Sequence, residues 1–518
     1  MEDKIKLNQG ELVPAHRIGV QMNKTISDII SVEDMKSWRP DTAVFITAST
    51  GKGKSHFIKN KFYDYAKARG EKILLILHRK NCHQQFEHEL TSEGKDDVIT
   101  TITYQTIEQR VIYEKSFNFS PYTYIVCDEY HYFLEDADFN PFTDLSFRAI
   151  LQSNKIMIFL SATGVDMKDY MTSACGMPSV EYELQEEDMH IRQLSFFDDM
   201  KTVPTQIAQR VINAGEKAIF FIQSAEDAWE LRKQLGSDAI FNCSQYNKRW
   251  HKRVDSKAVK SMLQNESFEA PILVTTSCFD AGINIKDKRV TTILVDITNV
   301  TTVIQCIGRR RIDYNDPNDR IDVYVHVPSR KSLNGVIMGK TRNIAMADFL
   351  MENGARAFIQ KYPRKIYPSL IYDNPYCSDW ESFKCVNRIK YHKDLVDIHR
   401  FKSILDEPSG YQHLIAERLR RIDPETGDYL YDEVDGDYML SELLEGYIAT
   451  PMLTPADREP LIQAINVHSG DQTLRRAAAL NEALERRRFP YQIVSFRTSR
   501  MENGKKVDYG HAWRVERR

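Results

Sequence analysis

The chain has 518 residues, 42% of them hydrophobic and 28% charged, with 70 Lys and Arg against 73 Asp and Glu and a formal net charge of −3. This is the composition of an ordinary soluble globular protein, long enough for about three domains with well-filled cores. The near-neutral balance excludes a polycation and leaves room for a local basic groove.

No apolar run approaches the roughly 20 residues that a membrane span needs. The charged start, Met1-Glu2-Asp3-Lys4-Ile5-Lys6, lacks the apolar core of a signal peptide. The expectation is a cytoplasmic protein. The eight cysteines are scattered, with no CxxC pair. Cys127, Cys243 and Cys278 fall in apolar, strand-like runs, as buried free thiols do. Cys377, Cys385, His392 and His399 lie close in sequence, but their spacing matches no common zinc site.

From residue 41 onward, short apolar runs alternate with amphipathic stretches. Ala43–Thr47, Ile73–Leu77, Tyr124–Cys127 and Ile156–Leu160 read as buried strands, with helices over Ser55–Arg69 and Asn81–Leu90. This alternation implies βαβ units and a parallel sheet. The rhythm pauses over the acidic stretch Glu181–Asp188 and restarts. Lys217–Ile222, Ala239–Cys243, Ile272–Thr276, Thr292–Ile297 and Ile321–Val327 form a second set of strands, with a helix over Ala225–Leu235.

After Pro328 the pattern becomes mixed and partly helical. Thr454-Pro455-Ala456-Asp457 opens a helix, with a capping Thr and Pro at the first helical position. Asp471–Arg488 is helical in pattern. Tyr491–Thr498 and His511–Val515 read as strands about the turn pair Asn503-Gly504, a winged-helix-like ending. The expected division is an N-terminal extension (1–40), two α/β domains (41–188 and 189–330) and an accessory region (331–518).

Ala48-Ser49-Thr50-Gly51-Lys52-Gly53-Lys54-Ser55 lies between a strand and a helix, the context of a phosphate-binding loop. Gly51 and Gly53 let the backbone turn its N–H groups toward phosphate oxygens. The following helix adds its positive end. Thr50, Gly51, Lys52, Gly53, Lys54 and Ser55 are therefore candidate nucleotide-binding residues. Lys54 supplies a mobile charge for the β- and γ-phosphates and Ser55 an oxygen for Mg2+. A Gly- and Lys-rich surface turn would need neither the strand before nor the helix after it. Asp128-Glu129 closes a strand at the sheet edge where ligands bind in open α/β folds. Asp128 would hold Mg2+ through water, and Glu129 would orient or deprotonate the attacking water.

The AxTGxGKS loop followed by Asp128-Glu129-Tyr130-His131 resembles the superfamily 2 helicases of DExH type, whose core is two RecA-like domains. The pattern that ends in Gln305-Cys306-Ile307-Gly308-Arg309-Arg310-Arg311 is similar to that of compact helicases of phages, mobile elements and the herpesvirus origin-binding group. The resemblance covers residues 41–330.

It implies that His131 and Ser161-Ala162-Thr163 couple the nucleotide site to a nucleic-acid groove. It also implies that Arg79, after Leu77-His78, together with Thr103, Gln105 and Thr276, contacts phosphates of a bound strand. Short hydroxyl and amide groups suit such contacts, although they also suit loop capping. Gly282 matches a glycine facing the nucleotide, and Asn284 stands where many members have Asp. Gln305, Gly308 and Arg309 match the last motif, with Arg309 as arginine finger. Arg311 or Ile312 fills its final position, and the shortened form Q-x-x-G-R-x-R selects Arg311.

The expected function is an ATP- and Mg2+-dependent nucleic-acid helicase or translocase. The DEYH box and the absence of a DEAD-type upstream Phe…Gln pair favour DNA over RNA. An ATPase switch or loader without strand separation, an RNA helicase and a non-catalytic adaptor are the alternatives. Gln21 is a remote candidate for adenine contact. Near the end, Arg475, Arg476, Arg486, Arg487, Arg488, Arg497, Arg500, Lys505, Lys506, Arg514, Arg517 and Arg518 interleave with Tyr491, Phe496, Tyr509 and Trp513. That pattern fits either a strand-binding surface or a core with a solvated basic face.

Overall fold

Two sets of β-branched and aliphatic runs build two parallel sheets. In the computed structural model, residues 24–49, 51–78, 80–114, 116–184, 190–245, 247–277, 284–313, 316–363, 367–374, 383–448, 450–465, 467–469, 472–502 and 505–518 are described. Thr50, Arg79 and Gly282 lie outside them, as do Gln21, Cys278, Cys377, Asn503 and Gly504. Packing divides the chain into two units. One comprises residues 1–188 with 330–410, the other 189–329 with 411–518.

The first unit holds β1 (Ala43–Ala48), β2 (Ile73–Leu77), β3 (Ile99–Thr103), β4 (Tyr124–Asp128), β5 (Ile156–Ser161) and β6 (Ser179–Leu184). They lie in the order β3-β2-β4-β5-β1-β6, and every pairing is parallel. Strands covered on both faces read as continuous apolar runs. Accordingly Val44, Ile46 and Ala48 enter the core on one side of the sheet, and Ala43 and Phe45 that on the other.

The acidic pause in the sequence is only in part a pause. Ser179–Leu184 forms the edge strand β6, with Tyr182 and Leu184 buried and Glu181 paired to Lys168 at 2.8 Å. Short alternation of acidic and apolar residues is what a half-buried edge strand requires. Strand β3, rich in Thr, had no separate signal in the apolar pattern.

Before β1, Thr25 and Ser31 cap two short helices, Ile26–Ile29 and Val32–Ser37. Ile26, Ile30, Met35 and Trp38 enter the first core. The segment 25–38 thus packs against the sheet.

The second unit holds β7 (Ile191–Phe197), β8 (Lys217–Ile222), β9 (Ala239–Asn242), β10 (Ile272–Thr275), β11 (Val290–Asp296) and β12 (Ile321–His326). Their order is β7-β12-β11-β8-β10-β9, with Asp432–Glu433 added parallel to β7 at the edge. These are the two parallel α/β domains expected. Small antiparallel sheets complete the C-terminal part.

In that part Thr454 and Asp457 bond reciprocally (2.7 and 3.3 Å) and open the helix Pro455–Ile465. The helix Ala477–Arg486 precedes a hairpin of Tyr491–Glu502 with Lys505–Arg517. Among the described residues no helix is long and apolar enough to cross a membrane.

Candidate nucleotide site

The strand order places three loops side by side. β5 lies between β4 and β1, with Thr47 in register with Ser161 and Asp128 in register with Leu160. The loop after β1, the DExH turn after β4 and Ser161-Ala162-Thr163 after β5 therefore emerge together at the C-terminal edge of one sheet. This is the edge at which open α/β folds bind ligands.

Gly51 and Gly53 both have left-handed φ, +89° and +81°, which L side chains adopt at a cost. The turn they make delivers Lys54 and Ser55 to the first residues of a helix that runs through Lys54–Phe57, Ile58–Phe62 and Tyr63–Ala68. Lys54 Nζ donates to the carbonyl of Ala48 at 2.5 Å and to that of Ser49 at 3.4 Å, so its ammonium sits over the mouth of the loop. Lys52 O accepts from Ile26 N at 3.0 Å. The capped segment before β1 thus braces the loop. The apolar Ile26 and Ile29 within a polar stretch were the only sequence signal for that.

Glu129 has φ +49°, a strained region for a non-glycine residue and one enriched at functional sites. The turn brings three segments into one network. Glu129 Oε2 lies 3.2 Å from His131 Nδ1 and 3.3 Å from Ser161 Oγ. Ser161 Oγ lies 2.9 Å from His131 Nδ1 and accepts the Thr163 N–H at 3.0 Å. Thr163 Oγ1 is 3.5 Å from His131 Nδ1. The three residues read as a coupling set are therefore joined.

Charge within this turn is unevenly placed. Withdrawal from water, and then the neighbouring Glu129 charge, push Asp128 up to about 7, against the pull of Lys54 and His131. Burial also acts to raise Glu129, but the His131 hydrogen bond and the charges of His131, Lys54 and His78 outweigh it and hold it well below the usual carboxylate range. Burial would lower His131, yet Glu129, Glu135 and Asp136 raise it. The pairing thus favours the ionised Glu129 carboxylate and raises the His131 imidazole. Ser55 and Asp128 offer hard oxygen donors, and paired carboxylates gain from a divalent cation, so these residues fit Mg2+.

Sequence reasoning missed two supports of this turn. His78 Nε2 lies 3.0 Å from Asp136 Oδ1, with its ring 6.0 Å from that of His131. Tyr104 OH donates to Asp128 O at 2.9 Å. Each lies one residue from a position that was singled out. Thr103 is buried and its hydroxyl accepts from Thr106 N at 3.3 Å, which caps the helix Tyr104–Glu114. Gln105 is half-buried in the first turn of that helix.

In the second unit the helix Val300–Ile307 carries Gln305, whose Nε2 is buried with no hydrogen-bond partner among the described residues. Arg309 follows, half-buried. Arg311 Nε donates to Asn284 Oδ1 at 2.7 Å and its Nη1 to Gly308 O at 3.1 Å. Asn at position 284 therefore keeps the link to the last motif that an Asp would make, and Arg311 makes it. Arg310 is 2% exposed and pairs with Asp319, so the middle arginine of the three is a fixed part of the core. Thr276 follows β10 and is half-buried.

The basic C-terminus holds part of its aromatics in a core and part of its arginines in ion pairs. Tyr491 and Trp513 are buried with Leu480, Leu484 and Ile493. Arg475, Arg486, Arg487, Arg517 and Arg518 pair with Glu459, Glu482, Asp437, Glu445 and Glu485. Cys385 and His392 are apart in role, His392 lying against Tyr170. Among the described residues no three His, Cys, Asp or Glu side chains group as a metal set.

A phosphate-loop α/β unit whose DExH turn is bonded to a Ser-Ala-Thr turn defines a nucleoside-triphosphate hydrolase of the helicase class. Residues 21–165 match the family described as type III restriction enzyme, res subunit, a superfamily 2 helicase domain. That match spans the phosphate loop, the DExH turn and the Ser-Ala-Thr turn, and it supports an ATP-hydrolysing helicase-type domain over these residues.

No curated protein matches it. Solved structures similar to it include S. cerevisiae Dbp5 L327V bound to RNA and ADP BeF3, with 16% identity, 57% of this chain and 81% of that one covered and a TM-score of 0.39. The DEAD-box helicase Mss116 bound to ssRNA and UDP-BeF has 14% identity, 76% and 91% coverage and a TM-score of 0.43. Likenesses this remote add nothing to the fold read from the sheets themselves.

Proposed function

We propose that the protein is an ATP-driven helicase or translocase that acts on DNA. The single observation that carries the reading is the bonded set Glu129, His131, Ser161 and Thr163 at the sheet edge that also bears Lys54. An adaptor that merely kept the fold would have no need of an ionised carboxylate tied to both motifs.

In this reading the N–H groups at Gly51 to Ser55 and the Lys54 ammonium bind the β- and γ-phosphates. Glu129, held in its ionised form, accepts a hydrogen bond from the attacking water and orients it. Ser55 and Asp128 would hold Mg2+, which supplies neutralisation of phosphate charge when bound. Arg309 stabilises charge that develops on the transferred phosphoryl group. Gln305 and the Arg311–Asn284 pair hold that segment in place. His131, through Ser161 and Thr163, passes the state of the phosphates to the elements after β5. Arg79, Gln105 and Thr276 take the strand-contact roles that the resemblance assigns, while the buried Thr103 hydroxyl caps the helix that carries Gln105.

The choice of DNA rests on the DEYH box, on the absence of a DEAD-type upstream pair and on a match to a family described by a restriction enzyme subunit. The test is ATP turnover with single-stranded DNA, duplex DNA and RNA in parallel, beside strand displacement on the same substrates. DNA stimulation with strand separation is expected. Stimulation by RNA alone would overturn the substrate. Stimulation without displacement would make the protein a switch or loader.

A further inference from the structure

The helix Arg388–Asp406 turns a stripe of charge inward. Lys390, Lys393, Asp394 and Asp397 share one helix face at the i, i+3, i+4, i+7 spacing and are 6%, 5%, 0% and 7% exposed. That face of a packed helix is ordinarily apolar.

Its partners lie directly behind the two bonded turns of the nucleotide site. Lys393 Nζ is 2.5 Å from Asp138 and 3.6 Å from Glu135. Lys390 Nζ is 2.5 Å from Asp138 and 2.6 Å from Asp394. Lys340, from the helix Arg330–Lys361, meets Asp394 at 2.5 Å and Asp397 at 3.0 Å. Glu135 and Asp138 belong to the turns Tyr132–Glu135 and Asp136–Asp138. These continue from His131, whose carbonyl accepts from Leu134 N and Glu135 N at 3.0 and 2.9 Å.

One helical stretch further on, Arg400 Nη2 lies 3.0 Å from both carboxylate oxygens of Asp166. Asp166 stands in the helix Val165–Asp169, which follows Ser161-Ala162-Thr163-Gly164. One helix thus grips both the segment after the DExH turn and the segment after the Ser-Ala-Thr turn. The chain enters the stretch 330–410 directly from the sequence of the second unit and returns to it at Tyr411.

Buried ion pairs add little stability over apolar packing, yet they are exacting about geometry. We propose that Lys390, Lys393 and Arg400 are positioning residues for ATP hydrolysis: by holding Glu135, Asp138 and Asp166 they fix the turn of Glu129 and His131 against that of Ser161 and Thr163. The inference rests on the reading of that site as the site of hydrolysis. It gives residues 330–410 a part in turnover as well as in folding.

The test uses the full chain with Lys393→Met, Lys393→Arg and Arg400→Gln, each checked for folding by circular dichroism. Steady-state ATP kinetics are measured beside parent and Glu129→Gln. A loss of about tenfold to a hundredfold in kcat is expected for Lys393→Met and Arg400→Gln, with KM within about twofold and most of the loss restored in Lys393→Arg. Parent kcat in folded variants, or a rise in KM alone, would overturn the proposal. If Lys393→Met does not fold, Arg400→Gln decides, its side chain being 21% exposed.

Turnover that survives in Glu129→Gln would instead remove the reading of the site. The proposal is then judged by the His131 ring resonances in NMR spectra, identified with His131→Gln. They should move in Arg400→Gln, and unmoved resonances would refute the positioning role.

Discussion

Replacing Ser161 by Ala removes one buried hydroxyl from this junction and nothing else. That hydroxyl accepts the Thr163 N–H at 3.0 Å, stands 2.9 Å from His131 Nδ1 and donates to Glu129 at 3.3 Å. The hydroxyl thus accepts the Thr163 N–H, donates to Glu129 and meets the His131 ring, joining all three. Loss of the partner of one buried backbone donor costs about 1–3 kcal/mol. In a unit of this size that lowers the melting temperature by roughly 2–12 °C.

The junction also predicts non-additivity. Ser161→Ala and His131→Ala remove the same bond, so the double variant should lose less than the sum of the singles, by about 0.5–3 kcal/mol. Scanning calorimetry on the four proteins, following the transition of the first unit, measures this. Additivity within about 0.5 kcal/mol would refute a shared junction.

Three further outcomes follow from local geometry. A Cβ at Gly164 would lie 2.2 Å from the Tyr130 ring, so Gly164→Ala should cost about 1–3 kcal/mol in calorimetry. Tyr130→Phe, which deletes a buried hydroxyl without a partner among the described residues, should cost nothing or stabilise. Burial, only partly offset by Arg148, pushes Asp144 up to about 6. The folded state therefore binds more protons than the unfolded one between about pH 4 and pH 6, and stability falls as pH rises through that window. Asp144→Asn should gain on the parent in melting temperature from about pH 4.5 to 7, and a constant difference would contradict the shift. In the C-terminal hairpin, Trp513→Ala should destabilise by about 3–5 kcal/mol. Arg486→Gln, a 74% exposed residue paired to Glu482, should change nucleic-acid affinity by less than about twofold in a fluorescence titration.

Much of both sheets was legible because fully buried parallel strands write themselves as apolar runs. Ile73–Leu77 and Lys217–Ile222 coincide with the strands formed. Ile99–Thr103 and Ser179–Leu184 did not stand out, since Thr and Glu on their open faces dilute the run. The site residues were legible as motifs because phosphate chemistry demands glycines, a lysine and carboxylates at strand ends.

The supports of the site were not legible. His78, through Asp136, and Tyr104 act on the DExH turn from other segments, and only the strand order brings them there. The charged stripe of Lys390, Lys393, Asp394 and Asp397 was visible as helical spacing. In sequence it reads as a solvated face, because the Asp138 that its lysines bind lies more than 200 positions away. The arginines near the end carried the opposite ambiguity, and five of them have acidic partners within that unit.

The central claim is that the Gly51–Ser55 loop and the Glu129 turn hydrolyse ATP. Turnover of Lys54→Ala against the parent, at equal folded content by circular dichroism, tests it most directly. The account predicts a loss of at least about a hundredfold with the fold intact. Near-parental turnover in the folded variant would contradict it.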